Sequence, residues 1–153
     1  MPVTELDSNF SDSDVEERPG RERDNGRLLV ALLTWLYLRR KELGIEVFIR
    51  QDVQVSATRR HTVDLCVTIG EPDEQIFTAP PRLCVEIVSH FVPMWQVLRK
   101  IADYLDFGVP CVWLIDPFRR TAIVYTATEF DSPEDGILRT QNPDISLPLA
   151  ELF

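Results

Sequence analysis

Two short, nearly all-apolar segments, Leu83–Val88 (LCVEIV) and Cys111–Asp116 (CVWLID), flank a stretch of helical periodicity. Apolar runs of this length, without alternation, suit strands covered on both faces. Between them Met94, Val97, Leu98, Ile101, Tyr104 and Leu105 recur at helical spacing. Pro93 suits the first helical position and Gly108 the stop. Strand, helix and strand over residues 83–116 predict two parallel strands joined by a right-handed crossover. An α/β domain with a central, doubly covered strand is therefore expected.

The flanking sequence extends this sheet. A helix is expected from about Arg27 to Leu43, with Leu28, Leu32, Trp35, Leu36 and Leu43 as its apolar stripe, Asp24 or Asn25 as cap and Gly44 as stop. Ile45–Val55 alternates and reads as a strand. Thr62–Ile69 reads as another, with Val63, Leu65, Val67 and Ile69 on one face and Thr62, Asp64, Cys66 and Thr68 on the other. Residues 70–81 are rich in turn formers and acids and read as a loop. These early strands predict an antiparallel meander, which makes the sheet mixed, with helices on its faces. Asp116-Pro117 opens a turn, and Thr121–Thr126 is the expected hairpin partner. Short strands are expected near Ile137–Thr140 and Ile145–Leu147.

Composition sets the outer limits. With 153 residues and 44% hydrophobic residues the chain suits one domain with a sizeable core. The net charge of −9 argues against a simple basic nucleic-acid coat protein. Residues 1–20 hold six acids and one base, so about half of that charge sits in a short arm poor in apolar residues, expected to be a disordered acidic tail. No apolar run approaches a membrane span, and the acidic start lacks a signal-peptide pattern. Cys66, Cys84 and Cys111 form no CxxC pair and each lies in a strand-like run, as reduced core thiols of a cytoplasmic protein do.

Chemistry enters through two misplaced charges. Asp64 and Glu86 sit inside otherwise apolar strands, and a buried carboxylate needs a cation, a hydrogen-bond partner or a proton. Arg59, Arg60, Arg99 and Lys100 are the candidate ion-pair partners. Two structural carboxylates, each salt-bridged, would satisfy the same requirement. Lys100, one of only two lysines, lies about 100° around the helix from the Ile101 line, at the margin of the buried face. Its stem can run along the core and deliver the ammonium to the sheet. Two carboxylates and a lysine are what metal-assisted phosphodiester hydrolysis requires.

Several stretches then resemble one family in order and spacing. They are Arg60-His61-Thr62-Val63-Asp64-Leu65, Pro80-Pro81-Arg82-Leu83-Cys84-Val85-Glu86-Ile87-Val88-Ser89, Lys100-Ile101-Ala102-Asp103-Tyr104, and the run from Gly108 to Pro117. The closing Leu147-Pro148-Leu149-Ala150-Glu151-Leu152-Phe153 fits as well. Together they resemble the Uma-type restriction endonuclease family of the PD-(D/E)XK nuclease superfamily. The resemblance implies a restriction-endonuclease-like fold over residues 21–153 and a metal-dependent DNA endonuclease. It implies Asp64 and Glu86 as ligands of Mg²⁺ or Mn²⁺ and Lys100 as the third catalytic residue. The superfamily's usual lysine position holds Val88, and the family's helical basic residue corresponds to Lys100. Glu22 or Asp24 would supply the superfamily's additional acid, and a homodimer is the common assembly. Val63 replaces the proline of the "PD" pair, and His90-Phe91-Val92 departs from the usual proline-containing run.

Other readings stay open at this level. His61 and His90 flank the acids and would complete a transition-metal set of His61, Asp64, Glu86 and His90, although histidines at strand ends are more often surface or capping groups. Asp116 is read as a turn-former, and Arg119 and Arg120 as solvated hairpin residues. Arg59, Arg60, Arg82, Arg99 and Arg119 would make the basic rim that DNA needs. The alternatives to an endonuclease are a catalytically inactive module of the same fold that binds DNA or protein, and an inhibitor whose acidic arm mimics DNA.

Overall fold

The computed structural model describes residues 22–153. The acidic tail lies outside the described residues. Helix α1 (Arg23–Leu38) is followed by the single turn α2 (Arg40–Leu43). Strands β1 (Glu46–Gln54), β2 (Arg60–Thr68) and β3 (Leu83–Ile87) lead to helix α3 (Met94–Phe107). Then come β4 (Val112–Asp116), β5 (Thr121–Tyr125) and β6 (Phe130–Asp131). The hairpin β7 (Ile137–Arg139) and β8 (Ser146–Pro148) and a 3₁₀ turn (Leu149–Leu152) close the chain.

The six strands pair in chain order, β1-β2-β3-β4-β5-β6. All neighbours are antiparallel except β3 and β4, which are parallel, with Glu86 opposite Leu114. This is the mixed sheet expected from the order of elements. β7 and β8 form a separate two-stranded sheet, and β6 was not foreseen.

The sheet divides two cores. Odd positions of β3 and β4 (Leu83, Val85, Trp113, Ile115) join Leu65 and Val67 against Leu28, Leu32 and Leu36 of α1. Those leucines are four residues apart and lie on one line of the helix. Even positions (Cys84, Val112, Leu114) join Cys66 against Val97, Ile101 and Tyr104 of α3. Burying each large aliphatic side chain contributes about 2 kcal/mol, so the alternation holds both helices to the sheet.

Several expectations are corrected. α1 begins at Arg23, which places Asp24 and Asn25 inside its first turn rather than at the cap. Glu22 occupies the cap position, and its carboxylate makes no cap hydrogen bond. The helix breaks at Arg39, whose backbone leaves α geometry, before Gly44 ends α2 at φ 67. Val63 packs in the α3-side core, away from Leu65 and Val67, and Ile69 is exposed. On α3, Met94 and Leu98 face solvent, because the sheet meets only the line through Val97, Ile101 and Tyr104. The three cysteines are free and buried, as core thiols should be. Burial pushes Cys66 up to about 12 and Cys111 up to about 11.

Candidate active site

The site forms where β2 and β3 part. Their register runs Val67↔Leu83, Cys66↔Cys84, Leu65↔Val85. One step beyond the last pair come Asp64 on β2 and Glu86 on β3, close enough for the Asp64 charge to act on Glu86. The backbone ladder stops there. In its place the Ile87 N–H donates to Asp64 Oδ2 at 2.8 Å. A side chain thus satisfies the main-chain donor that strand separation exposes.

On the other side of Asp64, β1 is also interrupted. Pairs Ile49↔Leu65 and Gln51↔Val63 flank Arg50, which adopts a left-handed φ of 52. A non-glycine residue in this region costs about 1 kcal/mol. The kink accompanies a guanidinium–carboxylate contact, Arg50 Nη1 to Asp64 Oδ1 at 3.4 Å. Arg50 was not among the partners considered from sequence.

Glu86 is buried in the middle of the sheet. Lys100 Nζ lies 2.9 Å from its Oε1 and donates also to the Thr62 carbonyl at 2.8 Å. The Tyr104 hydroxyl donates to the same Oε1 at 2.8 Å. Lys100 and Tyr104 are four residues apart on α3, so both project from one line toward the sheet. Loss of hydration pushes the Glu86 carboxyl from an ordinary 4.5 up to about 7, and the nearby Asp64 charge adds to this. Lys100 and the Tyr104 hydrogen bond pull the other way.

Asp64, Glu86 and Lys100 therefore lie within one constellation, linked through strand register and the Glu86–Lys100 pair. The remaining sequence candidates go elsewhere. Arg59 Nη1 donates to both Asp103 oxygens, at 2.9 and 3.0 Å, and His61 Nε2 meets Asp103 at 2.7 Å. Arg60 donates to Gln54. Glu22 accepts from Ser89 Oγ (2.9 Å) and from the His90 N–H (2.7 Å), and lies 2.9 Å from His90 Nδ1. It thereby ties the start of α1 to the loop that leaves β3. Asp24 pairs only with its neighbour Arg23. His90 stacks on Phe118 with centroids 3.8 Å apart. The four-ligand set of His61, Asp64, Glu86 and His90 is not assembled. Among the described residues no three His, Cys, Asp or Glu side chains converge as a metal-binding group. Asp116 accepts the Phe118 and Arg119 backbone N–H groups, the turn role expected of it.

Tyr104 escaped the sequence reading because it counted as one more apolar stripe residue. Its signal was the four-residue spacing from Lys100. A phenol on a fully buried helix line needs a polar partner, and Glu86 was the polar group across from it.

A mixed sheet with a helix packed on each face defines a layered α/β protein. The family model for Uma2, described as "Putative restriction endonuclease", matches residues 4–151, and the chain belongs to that family. Among solved structures, the fold is similar to "a putative nuclease belonging to DUF820" from Anabaena variabilis ATCC 29413. That likeness has a TM-score of 0.78 at 19% identity over 89% of this chain and 83% of the other. Comparison with curated proteins gives no match. Among the described residues no helix is long and apolar enough to cross a membrane.

Proposed function

We propose that the chain is a metal-dependent DNA endonuclease that hydrolyses phosphodiester bonds, with Asp64 and Glu86 as metal ligands and Lys100 beside them. The observation that supports this best is the Lys100 ammonium 2.9 Å from Glu86 Oε1, with Asp64 one residue past the last β2–β3 pair, Leu65↔Val85. Two carboxylates fit Mg²⁺ or Mn²⁺, hard cations that keep several waters and need one or two protein oxygens. The donor set also fits electrostatically. Glu86 holds its charge poorly in this buried position, and a divalent cation would favour the ionised form. Bound there, the cation supplies a more acidic water and a counter-charge for the phosphoryl oxygens.

The chain's own groups divide the remaining work. Asp64 is held in place by the Ile87 N–H and Arg50. Lys100, one-quarter exposed, can turn its ammonium from Glu86 toward a phosphate oxygen and neutralise charge as water attacks phosphorus. The family description supports DNA as the substrate. Arg59, Arg60, Arg82, Arg99 and Arg119 are all exposed and supply phosphate contacts, and a homodimer would double them.

One observation favours the alternative, a nuclease-fold module that binds without cutting. No third carboxylate joins the pair among the described residues. The test is calorimetric titration of Mg²⁺ and Mn²⁺ into wild type and Asp64→Ala, followed by plasmid nicking. Binding and nicking that both vanish in the variant support the enzyme. Absence of binding in a folded wild type refutes it.

A further inference from the structure

Tyr104 has no part in metal ligation or in contact with phosphate, yet it is fully buried beside Glu86. The Tyr104 side chain is fully buried, and its hydroxyl has one partner, Glu86 Oε1. Lys100 approaches that same oxygen. Among the described residues no hydrogen bond reaches Oε2. The Glu86 side chain keeps 5% of its surface exposed, and among the described residues the buried side-chain atoms left without a partner are Asn25 Oδ1 and Trp113 Nε1, not Oε2. The carboxylate is therefore asymmetric, with one oxygen fixed by two donors and the other open.

Behind Tyr104 stands a second layer. The His61 ring packs edge-to-face on the Tyr104 ring, with centroids 5.8 Å apart. His61 Nε2 is held by Asp103 Oδ2, and Asp103 is held by both bonds from Arg59. His61 comes from β2, Asp103 and Tyr104 from α3, so the contacts lock helix to sheet directly beside Glu86.

We infer that Tyr104, braced by His61 and Asp103, is a positioning residue that fixes the rotation of the Glu86 carboxylate and directs its open oxygen, Oε2, to the divalent cation. The inference rests on the proposed metal site and adds what orients it. A freely rotating carboxylate would present either oxygen and lose rotational freedom on binding. One pinned through Oε1 has already lost it.

The experiment uses the full chain with Mn²⁺ as probe, in wild type and Tyr104→Phe, which keeps the ring against His61 and removes only the hydroxyl. Loss of an outer-shell partner of this kind weakens metal binding by about tenfold. Calorimetry should show that rise in Kd. The electron paramagnetic resonance spectrum of the bound Mn²⁺ should change with the altered carboxylate, while the melting temperature without metal stays within a few degrees. A merely structural role would shift the melting temperature and leave the spectrum of bound Mn²⁺ as in wild type. Unchanged Kd and spectrum in Tyr104→Phe, with normal wild-type binding, overturn the positioning role alone. A wild type that takes up no Mn²⁺ overturns this inference and the metal site together. Should Tyr104→Phe fail to fold, His61→Phe carries the test. It keeps a ring beside Tyr104 and loses the Asp103 bond, and an unchanged Kd there overturns the inference.

Discussion

Replacing Glu86 by Gln separates the stability cost of this site from its chemistry. Burial raises the Glu86 carboxyl from 4.5 to about 7. Below pH 4.5 the group is protonated in both folded and unfolded chains and makes no difference to stability. As pH rises, the unfolded chain ionises first, so the folded state holds the extra proton and stability falls. The fall continues through the folded value near 7, and above it the accumulated cost is about 3 kcal/mol. Gln cannot ionise and escapes that cost. Its carbonyl can still accept from Tyr104 and Lys100. The folded value near 7 already contains the pull of Lys100, so the loss of its ionic partner adds no separate cost, and Lys100 keeps its bond to the Thr62 carbonyl. Glu86→Gln should therefore be about 3 kcal/mol more stable than wild type at pH 8, with the gap closing as pH falls toward 5. Denaturant titrations of both proteins with a chelator present, at a series of pH values from 5 to 8, measure this directly. A variant that is less stable than wild type at pH 8, or a gap that does not change with pH, would refute burial as the dominant influence on Glu86. Such a result would mean that the Lys100 pair already balances the desolvation.

Three further outcomes are expected. Mn²⁺ should raise the melting temperature of wild type in a concentration-dependent way, because it binds only the folded state, and should leave Asp64→Asn unmoved. A parallel shift in both proteins would exclude Asp64 as a ligand. Leu32→Ala should cost about 2–5 kcal/mol in denaturant unfolding, since Leu32 is fully buried between α1 and the sheet, and a cost under 1 kcal/mol would mean that this core collapses to fill the gap. Gly108→Ala should destabilise by more than about 1 kcal/mol. Gly108 ends α3 at φ 111, and its new methyl would meet Pro80 Cγ at 3.5 Å, so the backbone conformation rather than crowding sets the penalty. A neutral result by the same unfolding assay would show that the turn can relax.

What could be read in the chain before its structure follows from how local each feature is. β3, α3 and β4 are legible because period and composition are properties of short segments, and a doubly covered strand is nearly all apolar. Glu86 stood out for the same reason, as the one charge in such a strand. Lys100 could be placed near the sheet because one residue's rotation from a buried helix line is a local fact. Arg50 could not be foreseen, because its role depends on a left-handed kink in β1 and on its position opposite Asp64 fourteen residues on. The start of α1 depends on distant partners for a related reason. Asp24 and Asn25 are good caps in isolation, but the Glu22 carboxylate binds Ser89 and His90 across the domain, and that long-range anchor accompanies a helix start one residue before Asp24. Met94 and Leu98 face solvent because the apolar stripe of α3 is wider than the sheet surface available to cover it.

Tyr104 is amphipathic, so a pattern that counts only apolar surface treats it as core and ignores its hydroxyl. The core it joins contains a carboxylate that needs donors, and the helix line that buries the ring also carries Lys100 one turn earlier. The packing that covers Glu86 and the hydrogen bonds that steady it are thus the same two side chains. For this reason the stability and the metal affinity of the site should respond together to Lys100 and separately to Tyr104. Removing the ammonium leaves a buried charge with weaker compensation, whereas removing one hydroxyl from an intact ring leaves the packing and releases only the carboxylate's orientation.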